Sequence, residues 1–297
     1  MQNQIFTAIA NAYPTDRMNK SKLLSAIWRI LFYTLAPSQP FVMRTEHYKI
    51  MAYPKKGTLT RAVIRRGYWE RMETSAFINH IQPGTLVVDV GANFGHYALV
   101  ASKFVGNTGK IIAFEPSADT FQLLQSNIKL LANQNVIAVQ AGLSDSNGRM
   151  NLCIDASNPG GHSYSKDNVR KIGEDQTTRI YSLDEYLHSN HTAPPVSLIK
   201  IDVQGFEVKV IRGSTRTILH DHPVVFCEVT PEAAKNSGDD VMELMKFFKD
   251  ANYTVQFINN ETFQLMDVSY EQVSNILHQT EREYADLIFI PPQTIED

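Results

Sequence analysis

The sequence predicts an α/β fold, a mostly parallel β-sheet with helices on both faces, preceded by an N-terminal helical and hairpin extension. Three observations predict it. Short runs that are apolar throughout, rather than alternating, recur between helical stretches, which is the pattern of strands covered on both faces. Several of these runs end in an acidic residue next to a glycine or proline turn, as strands do where an open α/β sheet meets a ligand. The 297 residues are 43 % hydrophobic and 20 % charged, enough apolar material for a sizeable core and too much for a disordered chain.

Met1 to Ala36 reads as helical. Within it, Leu23, Leu24, Ile27, Trp28, Ile30, Leu31, Phe32 and Leu35 follow a three-four spacing broad enough for a buried or interfacial helix. The run falls short of the roughly 20 apolar residues of a membrane span and is interrupted by Arg29. It also starts too late, and without a basic opening segment, for a secretory signal. Residues 1–75 hold twelve Lys and Arg against four Asp and Glu, a net of +8, and residues 76–297 hold sixteen against twenty-seven, a net of −11. A basic front end and an amphipathic helix fit peripheral contact of residues 22–36 with an anionic membrane surface, though such a segment more often caps a core or forms a solvated extension.

Pro37-Ser38-Gln39-Pro40 breaks the chain, and Phe41 to Tyr53, bounded by Pro40 and Pro54, reads as a small hairpin. Residues 1–60 are therefore expected to form the extension and residues 61–297 the main domain. Arg61 to Ile81 reads as a helix pair ending at Pro83-Gly84. From Thr85 the expected strands are Leu86–Val90, Lys110–Phe114, Val136–Ala141, Val196–Ile201, Val224–Cys227, Tyr253–Ile258 and Leu287–Ile290. The expected helices are Phe94–Phe104, Ala118–Ala132, Phe206–Ile218 and Asp240–Ala251. Ser182 and Glu185 have the spacing of a capping box for a short helix, Leu183–Leu187. A stretch of about residues 147–180, with Pro159-Gly160-Gly161-His162 inside it, breaks the alternation and reads as an insertion. Cys153 and Cys227 sit in apolar runs and read as buried free thiols, which suits a reducing cytoplasm.

Four strand ends carry the chemistry. Val88-Asp89-Val90-Gly91-Ala92-Asn93-Phe94-Gly95-His96 runs from a strand through a glycine turn into a helix, whose first N–H groups are unpaired. Ala113-Phe114-Glu115-Pro116 ends a second strand in an acid 24 residues after Gly91, the spacing at which a carboxylate accepts hydrogen bonds from a ribose diol. Ile199-Lys200-Ile201-Asp202-Val203-Gln204-Gly205-Phe206-Glu207 and Phe226-Cys227-Glu228 supply Asp202 and Glu228 at two more ends. Together they describe an acidic cleft with an adenosine-type nucleoside site. Asn93 stands where a dinucleotide fold has its close-approach glycine, and Asp89 before the turn suits a cationic ligand, so S-adenosylmethionine is favoured over NAD.

These blocks, with Gly142-Leu143-Ser144-Asp145 and Ser182-Leu183-Asp184 between them, resemble in order the FkbM-type S-adenosylmethionine-dependent methyltransferases over about residues 65–292. The resemblance implies the class I methyltransferase (Rossmann-like) fold: a seven-stranded sheet with an antiparallel strand near the end, for which Tyr253–Ile258, Phe263–Met266 and Leu287–Ile290 are the candidates. Gln204 departs from the family, which usually has Glu there.

The cofactor-binding candidates are Glu70, Asp89, Gly91, Ala92, Asn93, Gly95, His96, Glu115, Pro116, Ser144 and Asp202. Asp202 is the first candidate for general base, since an alcohol acceptor needs one, and it is alternatively the partner of the cofactor's amino group. Glu207 either binds substrate or favours the positive end of the helix it opens. His162 is either a base in a substrate-contacting loop or a solvent-exposed loop histidine. Asp202 and Glu228 could hold a divalent cation, though no spacing demands it and a metal-free site is preferred.

The expected activity is O-methyl transfer from S-adenosylmethionine, leaving S-adenosylhomocysteine, to a hydroxyl of a sugar, glycan or other hydroxylated small metabolite; the resemblance implies that acceptor class. An NAD-dependent oxidoreductase and a non-catalytic cofactor-binding module recruited to a membrane are the alternatives. Nucleic acid is disfavoured, because the larger part of the chain carries −11 and has no aromatic-basic interleaving.

Overall fold

The computed structural model describes residues 6, 30, 34–53, 63–64, 67–158, 160–190, 194–260, 262–279 and 284–292. Most of the helix expected over 22–36, residues 61, 62, 65 and 66 of the pair expected over 61–81, and Pro159 lie outside them. Among the described residues, no helix is long and apolar enough to cross a membrane.

Phe41–Arg44 (β1) and Lys49–Ala52 (β2) pair antiparallel as the expected hairpin. Helix Arg71–His80 (α1) then leads to Leu86–Val90 (β3), His96–Phe104 (α2), Lys110–Phe114 (β4), Ala118–Ile128 (α3) and Val136–Val139 (β5). Gly142–Leu143 (β6), just before the insertion, and the insertion's Gly148–Leu152 (β7) and Gln176–Tyr181 (β8) form a three-stranded sheet of their own in the order β6-β8-β7. The alternation resumes with Leu183–Ser189 (α4), Val196–Ile201 (β9), Glu207–Arg212 (α5), Thr215–Asp221 (α6), Val224–Val229 (β10), Pro231–Asn236 (α7) and Val241–Asp250 (α8). The chain closes with Thr254–Asn259 (β11), Gln264–Val268 (β12), Tyr270–Gln279 (α9) and Ala285–Ile290 (β13).

The main sheet has eight strands, in the order β12-β11-β13-β10-β9-β3-β4-β5, one more than the expected seven. Strands β10, β9, β3, β4 and β5 are parallel. Strand β13 slots antiparallel between β10 and β11, and β12 adds an antiparallel edge. The chain winds outward from β3 through β4 to β5 and returns to β9 beside β3, so the order reverses between β3 and β9. Ligands enter open α/β sheets at the carboxyl ends of such a switch point.

Period-two alternation divides the core into two layers. Val87, Ile111, Ala113, Leu198, Phe226 and Ile288 face Phe77 of α1, Leu99 of α2, Leu124 of α3 and Ile50 of the hairpin. Val88, Ile112, Phe114, Ile199, Val225, Leu287 and Phe289 face Leu183, Ile211, Leu244 and Phe248. Each such buried side chain contributes about 1.5–3 kcal/mol by leaving water. Cys153 and Cys227 are buried and unbridged.

Two local expectations are corrected. The helix expected over Phe206–Ile218 is two helices, because the Gly213 carbonyl is taken by the Asp184 N–H at 3.0 Å and the Ser182 hydroxyl at 2.9 Å. That same bond occupies the Ser182 side chain, so the capping box does not form, and Glu185 instead accepts from Arg216 Nη2 at 2.6 Å.

Candidate active site

The loop after β3 is built around backbone conformations that few residues adopt. Gly91, Asn93 and Gly95 have φ of 80°, 53° and 98°. A Cβ at Gly91 would overlap the Asp202 carbonyl oxygen, so glycine is what lets the β3 and β9 ends lie side by side. Gly95 has a different reason: a Cβ there would come within 2.6 Å of Leu124 Cδ1, so it seats α2 on α3 and not on a ligand.

Every backbone N–H of this turn is used within the protein. Gly91 and Ala92 donate to the Phe114 carbonyl at 3.0 and 2.9 Å, and Gly95 donates to the Ala92 carbonyl at 2.8 Å. Asn93 N–H goes to Glu115 Oε2 at 2.9 Å, and Phe94 N–H to Asn93 Oδ1 at 2.8 Å. A pyrophosphate needs such groups free. The turn therefore has no cradle for a dinucleotide.

Beside it lies a cleft with about 580 Å³ of empty space, open to solvent. Gly91, Asn93, Glu115, Pro116, His162 and Asp202 line it. Val90, Leu143, Leu152 and Phe206 give it apolar walls. Glu115 also accepts from the Ser117 N–H at 2.9 Å, and burial pushes its carboxyl up to about 7. The lining fits S-adenosylmethionine: apolar walls for a base and Glu115 for a diol.

His162 enters this cleft from the insertion, with Tyr164 and Gly160. Its Nδ1 accepts the Asp155 N–H at 3.0 Å, so the ring is neutral and carries its proton on Nε2. Burial pushes its pKa down as well. The loop that presents it is tied by Asp155, which accepts from Ser157, Asn158 and Arg170 backbone N–H groups at 2.7, 3.0 and 3.2 Å. With Nδ1 engaged, His162 is a donor and not a base.

Other candidates lie away from the cleft lining. Asp89 is buried beneath the turn and its Oδ2 accepts the Ala98 N–H at 2.9 Å, which caps α2; burial pushes it up to about 7. Ala92 is buried in the core and Ser144 is buried behind β6. His96 is 5 % exposed and wholly engaged: Tyr48 O–H donates to Nδ1 at 2.7 Å, and Nε2–H donates to Thr74 Oγ1 at 2.7 Å. The direction follows because the Thr74 hydroxyl spends its own proton on the Trp69 carbonyl at 3.0 Å. Burial pushes His96 down to about 3, so it stays neutral. Glu207 is 1 % exposed; Oε1 accepts the Gly205 N–H at 2.9 Å and Oε2 has no partner. It serves the helix turn it opens, and burial pushes it up to about 7.

Around Asp202 the sheet assembles an acidic ring on one buried cation. Lys200 Nζ pairs with Glu73 Oε1 at 3.0 Å, with side chains 2 % and 5 % exposed. Tyr97 O–H donates to Glu70 Oε2 at 2.8 Å. Burial, then Glu73, pushes Glu70 well up; burial, then Asp202, does the same to Glu228; burial pushes Asp286 up to about 8. Glu73 had no sequence motif; the signal was Lys200, a cation inside a buried strand that is apolar apart from Ser197, which requires a buried counter-charge.

For the cation considered between Asp202 and Glu228, Gln204 occupies the point between them: its Nε2 donates to Asp202 Oδ1 at 3.0 Å and Glu228 Oε1 at 3.1 Å. Among the described residues no group of three or more His, Cys, Asp or Glu is arranged to hold a metal ion.

The family model for the methyltransferase FkbM domain matches residues 89–255, more than half of the chain. The chain belongs to the FkbM methyltransferase family. It is 29 % identical over 170 residues to the hexuronic acid methyltransferase AglP of Haloferax volcanii, a match covering 57 % of this chain and 63 % of the relative, so it spans less than two thirds of that protein's length. It is 28 % identical over 172 residues to Methyltransferase 1 of Beauveria bassiana, covering 52 % and 67 %. Among solved structures, the methyltransferase FkbM of Methylobacillus flagellatus aligns at a TM-score of 0.44 and 12 % identity, over 77 % of this chain and 53 % of that one.

Proposed function

We propose that this protein is an S-adenosylmethionine-dependent O-methyltransferase acting on a hydroxyl of a sugar, glycan or similar hydroxylated metabolite. The observation that carries the reading is Asp202. It ends β9 at the switch point, lines the cofactor cleft, and accepts one protein hydrogen bond, at Oδ1, so that among the described residues Oδ2 has no protein donor. S-adenosylmethionine supplies a methyl group on a sulfonium sulfur, which leaves as a neutral thioether. Glu115 and the apolar walls hold the nucleoside, and His162 Nε2–H adds a donor beside it. Asp202 accepts the proton of the acceptor hydroxyl as its oxygen gains the methyl group, and Lys200 on the same strand offsets the acid charge nearby. General-base assistance of this kind contributes about 10²–10⁴-fold, and in-line positioning supplies much of the rest.

The sugar class is supported by the printed activity of the Haloferax relative and by the carboxyl groups of Glu70, Asp202 and Glu228, which can accept hydrogen bonds from hydroxyls. The membrane-recruited alternative rests on residues 22–36, nearly all outside the described residues.

Calorimetric titration with S-adenosylmethionine, S-adenosylhomocysteine and NAD, followed by labelled-methyl transfer to a panel of neutral and acidic sugars, tests the proposal. Binding of the two sulfur nucleosides and transfer to a sugar hydroxyl are expected. Tighter binding of NAD, or transfer to nitrogen or carbon acceptors alone, would overturn it.

A further inference from the structure

Gln204 holds its carboxamide between two carboxylates that would otherwise repel. Carboxylates brought to one point share a proton, bind a divalent cation, or are bridged by a donor with two hydrogens. Gln204 Nε2 is such a donor, at 3.0 Å from Asp202 Oδ1 and 3.1 Å from Glu228 Oε1. Its backbone is fixed for the purpose. The residue is left-handed, with φ of 49°, and its carbonyl accepts from Ser163 Oγ at 2.9 Å and Asn168 Nδ2 at 3.1 Å, both from the insertion. The next residue, Gly205, has φ of 97°, and a Cβ there would overlap the Ala233 carbonyl. The bridge is therefore clamped by the insertion on one side and α7 on the other.

We infer that Gln204 is a positioning residue that takes the place of a divalent cation between Asp202 and Glu228, fixing the Asp202 carboxylate for proton acceptance. The inference rests on the reading of Asp202 proposed above, but its physical core is the clamp itself. The charged and titratable groups that face the bridge are Lys200 on β9, Glu70 and Glu73 at the start of α1, and Asp286 on β13, with Asp89, Glu115 and Glu207 also acting on Asp202. With an amide in the middle, each carboxylate accepts a hydrogen bond at the shared point. With a third carboxylate in the middle, the same point becomes a set of hard oxygen ligands.

Two substitutions separate the clamp from mere space filling. Gln204→Glu should bind Mn²⁺, read by electron paramagnetic resonance of the free ion, at least about tenfold more tightly than the parent, because it adds a hard oxygen ligand where the parent has donors. Gln204→Met keeps the volume and removes both hydrogens. Its unfolding midpoint should trail the parent little at about pH 5.5, where the Glu228 carboxyl, pushed up by burial and by Asp202, can donate its own proton across the gap, and by several degrees more at about pH 8.5, as that proton is given up. A Met deficit that is the same at both pH values, or parent Mn²⁺ binding equal to that of the Glu variant, overturns the clamp. If Gln204→Glu does not fold, the Met comparison decides alone. S-adenosylhomocysteine titration of the parent reports on the proposed function separately: absence of binding there strikes that reading, while the Mn²⁺ and pH arms still judge the bridge.

Discussion

The pair Glu73–Lys200 offers a direct perturbation of the site from behind. Both side chains are nearly out of solvent, at 5 % and 2 % exposure, and 3.0 Å apart. Removing one partner of such a pair leaves an uncompensated buried charge, at a cost of about 3–5 kcal/mol. Glu73→Gln should fall at the lower end, about 3 kcal/mol, because Asp202, Glu228 and Glu70 also act on Lys200. Lys200→Met should fall at the upper end, about 5 kcal/mol, because it strips the cation from Glu70, Glu73, Asp202 and Glu228 at once. An unfolding entropy of about 2.1 cal/mol/K per residue gives roughly 0.6 kcal/mol/K for 297 residues. The two losses then correspond to drops in melting temperature of about 5 and 8 °C. The assay is thermal unfolding followed by circular dichroism at about pH 7.5, repeated near pH 5.5, where the stranded acids of Lys200→Met can take up protons and its deficit should shrink. A Glu73→Gln melting point within a degree of the parent, or a Lys200→Met variant milder than Glu73→Gln, would refute the argument.

The remaining predictions concern the cleft and its acids. Asp202→Asn should bind S-adenosylhomocysteine within a few-fold of the parent and lose about 10²-fold or more in methyl transfer; undiminished turnover would remove Asp202 from the base role. His162→Ala deletes one neutral donor and should weaken S-adenosylhomocysteine about threefold to tenfold in a calorimetric titration, whereas an unchanged affinity would place the ring outside the cofactor's reach. Asp89, Glu115 and Glu207, pushed up to about 7, and Asp286, pushed up to about 8, keep protons in the folded state that the unfolded chain releases near its ordinary pH 4. The folded state thus binds more protons between about pH 4.5 and 8, so stability falls as pH rises through that window. Melting temperatures recorded at about pH 5.5 and 8.5 check the sign, and a higher value at the alkaline end would contradict it.

Much of the fold was legible because buried parallel strands announce themselves as continuous apolar runs, and β3, β4, β9 and β10 are such runs. The edges were less so. Strand β12 is Gln264–Val268, solvent-facing along almost its whole length, so its Leu265 and Met266 do not alternate with a buried face and only the overlapping stretch Phe263–Met266 hinted at it. Helix α7 is only six residues, too short for a period to register. In the site, motif spacing found Gly91, Glu115 and Asp202, which lie at strand ends where topology dictates position. Asp89, expected to touch the cofactor, turns its carboxylate inward to the Ala98 N–H, and Glu207 stands at the helix start, one of the two places its position allowed, because a helix start and a ligand make the same demand on an acid. In the sequence the insertion is a break in the alternation, with His162 either in a substrate-contacting loop or exposed. Its His162 and Tyr164 wall the cleft that fits the nucleoside, a placement that depends on long-range contacts such as Ser163 with the Gln204 carbonyl rather than on local pattern.

The relay from Tyr48 through His96 and Thr74 to the Trp69 carbonyl bears on how this protein can be shortened. A fragment starting at residue 61, where the motif-bearing region begins, would carry every residue named in the cleft and still lose Tyr48. The His96 acceptor would then be buried and empty, at about 1–3 kcal/mol, and Ile50 and Ala52 would vanish from the layer that supports α2 and α3. Chimeras that exchange cofactor-binding halves between relatives face the same constraint: the hairpin has to travel with the glycine turn, so a workable junction lies upstream of Phe41.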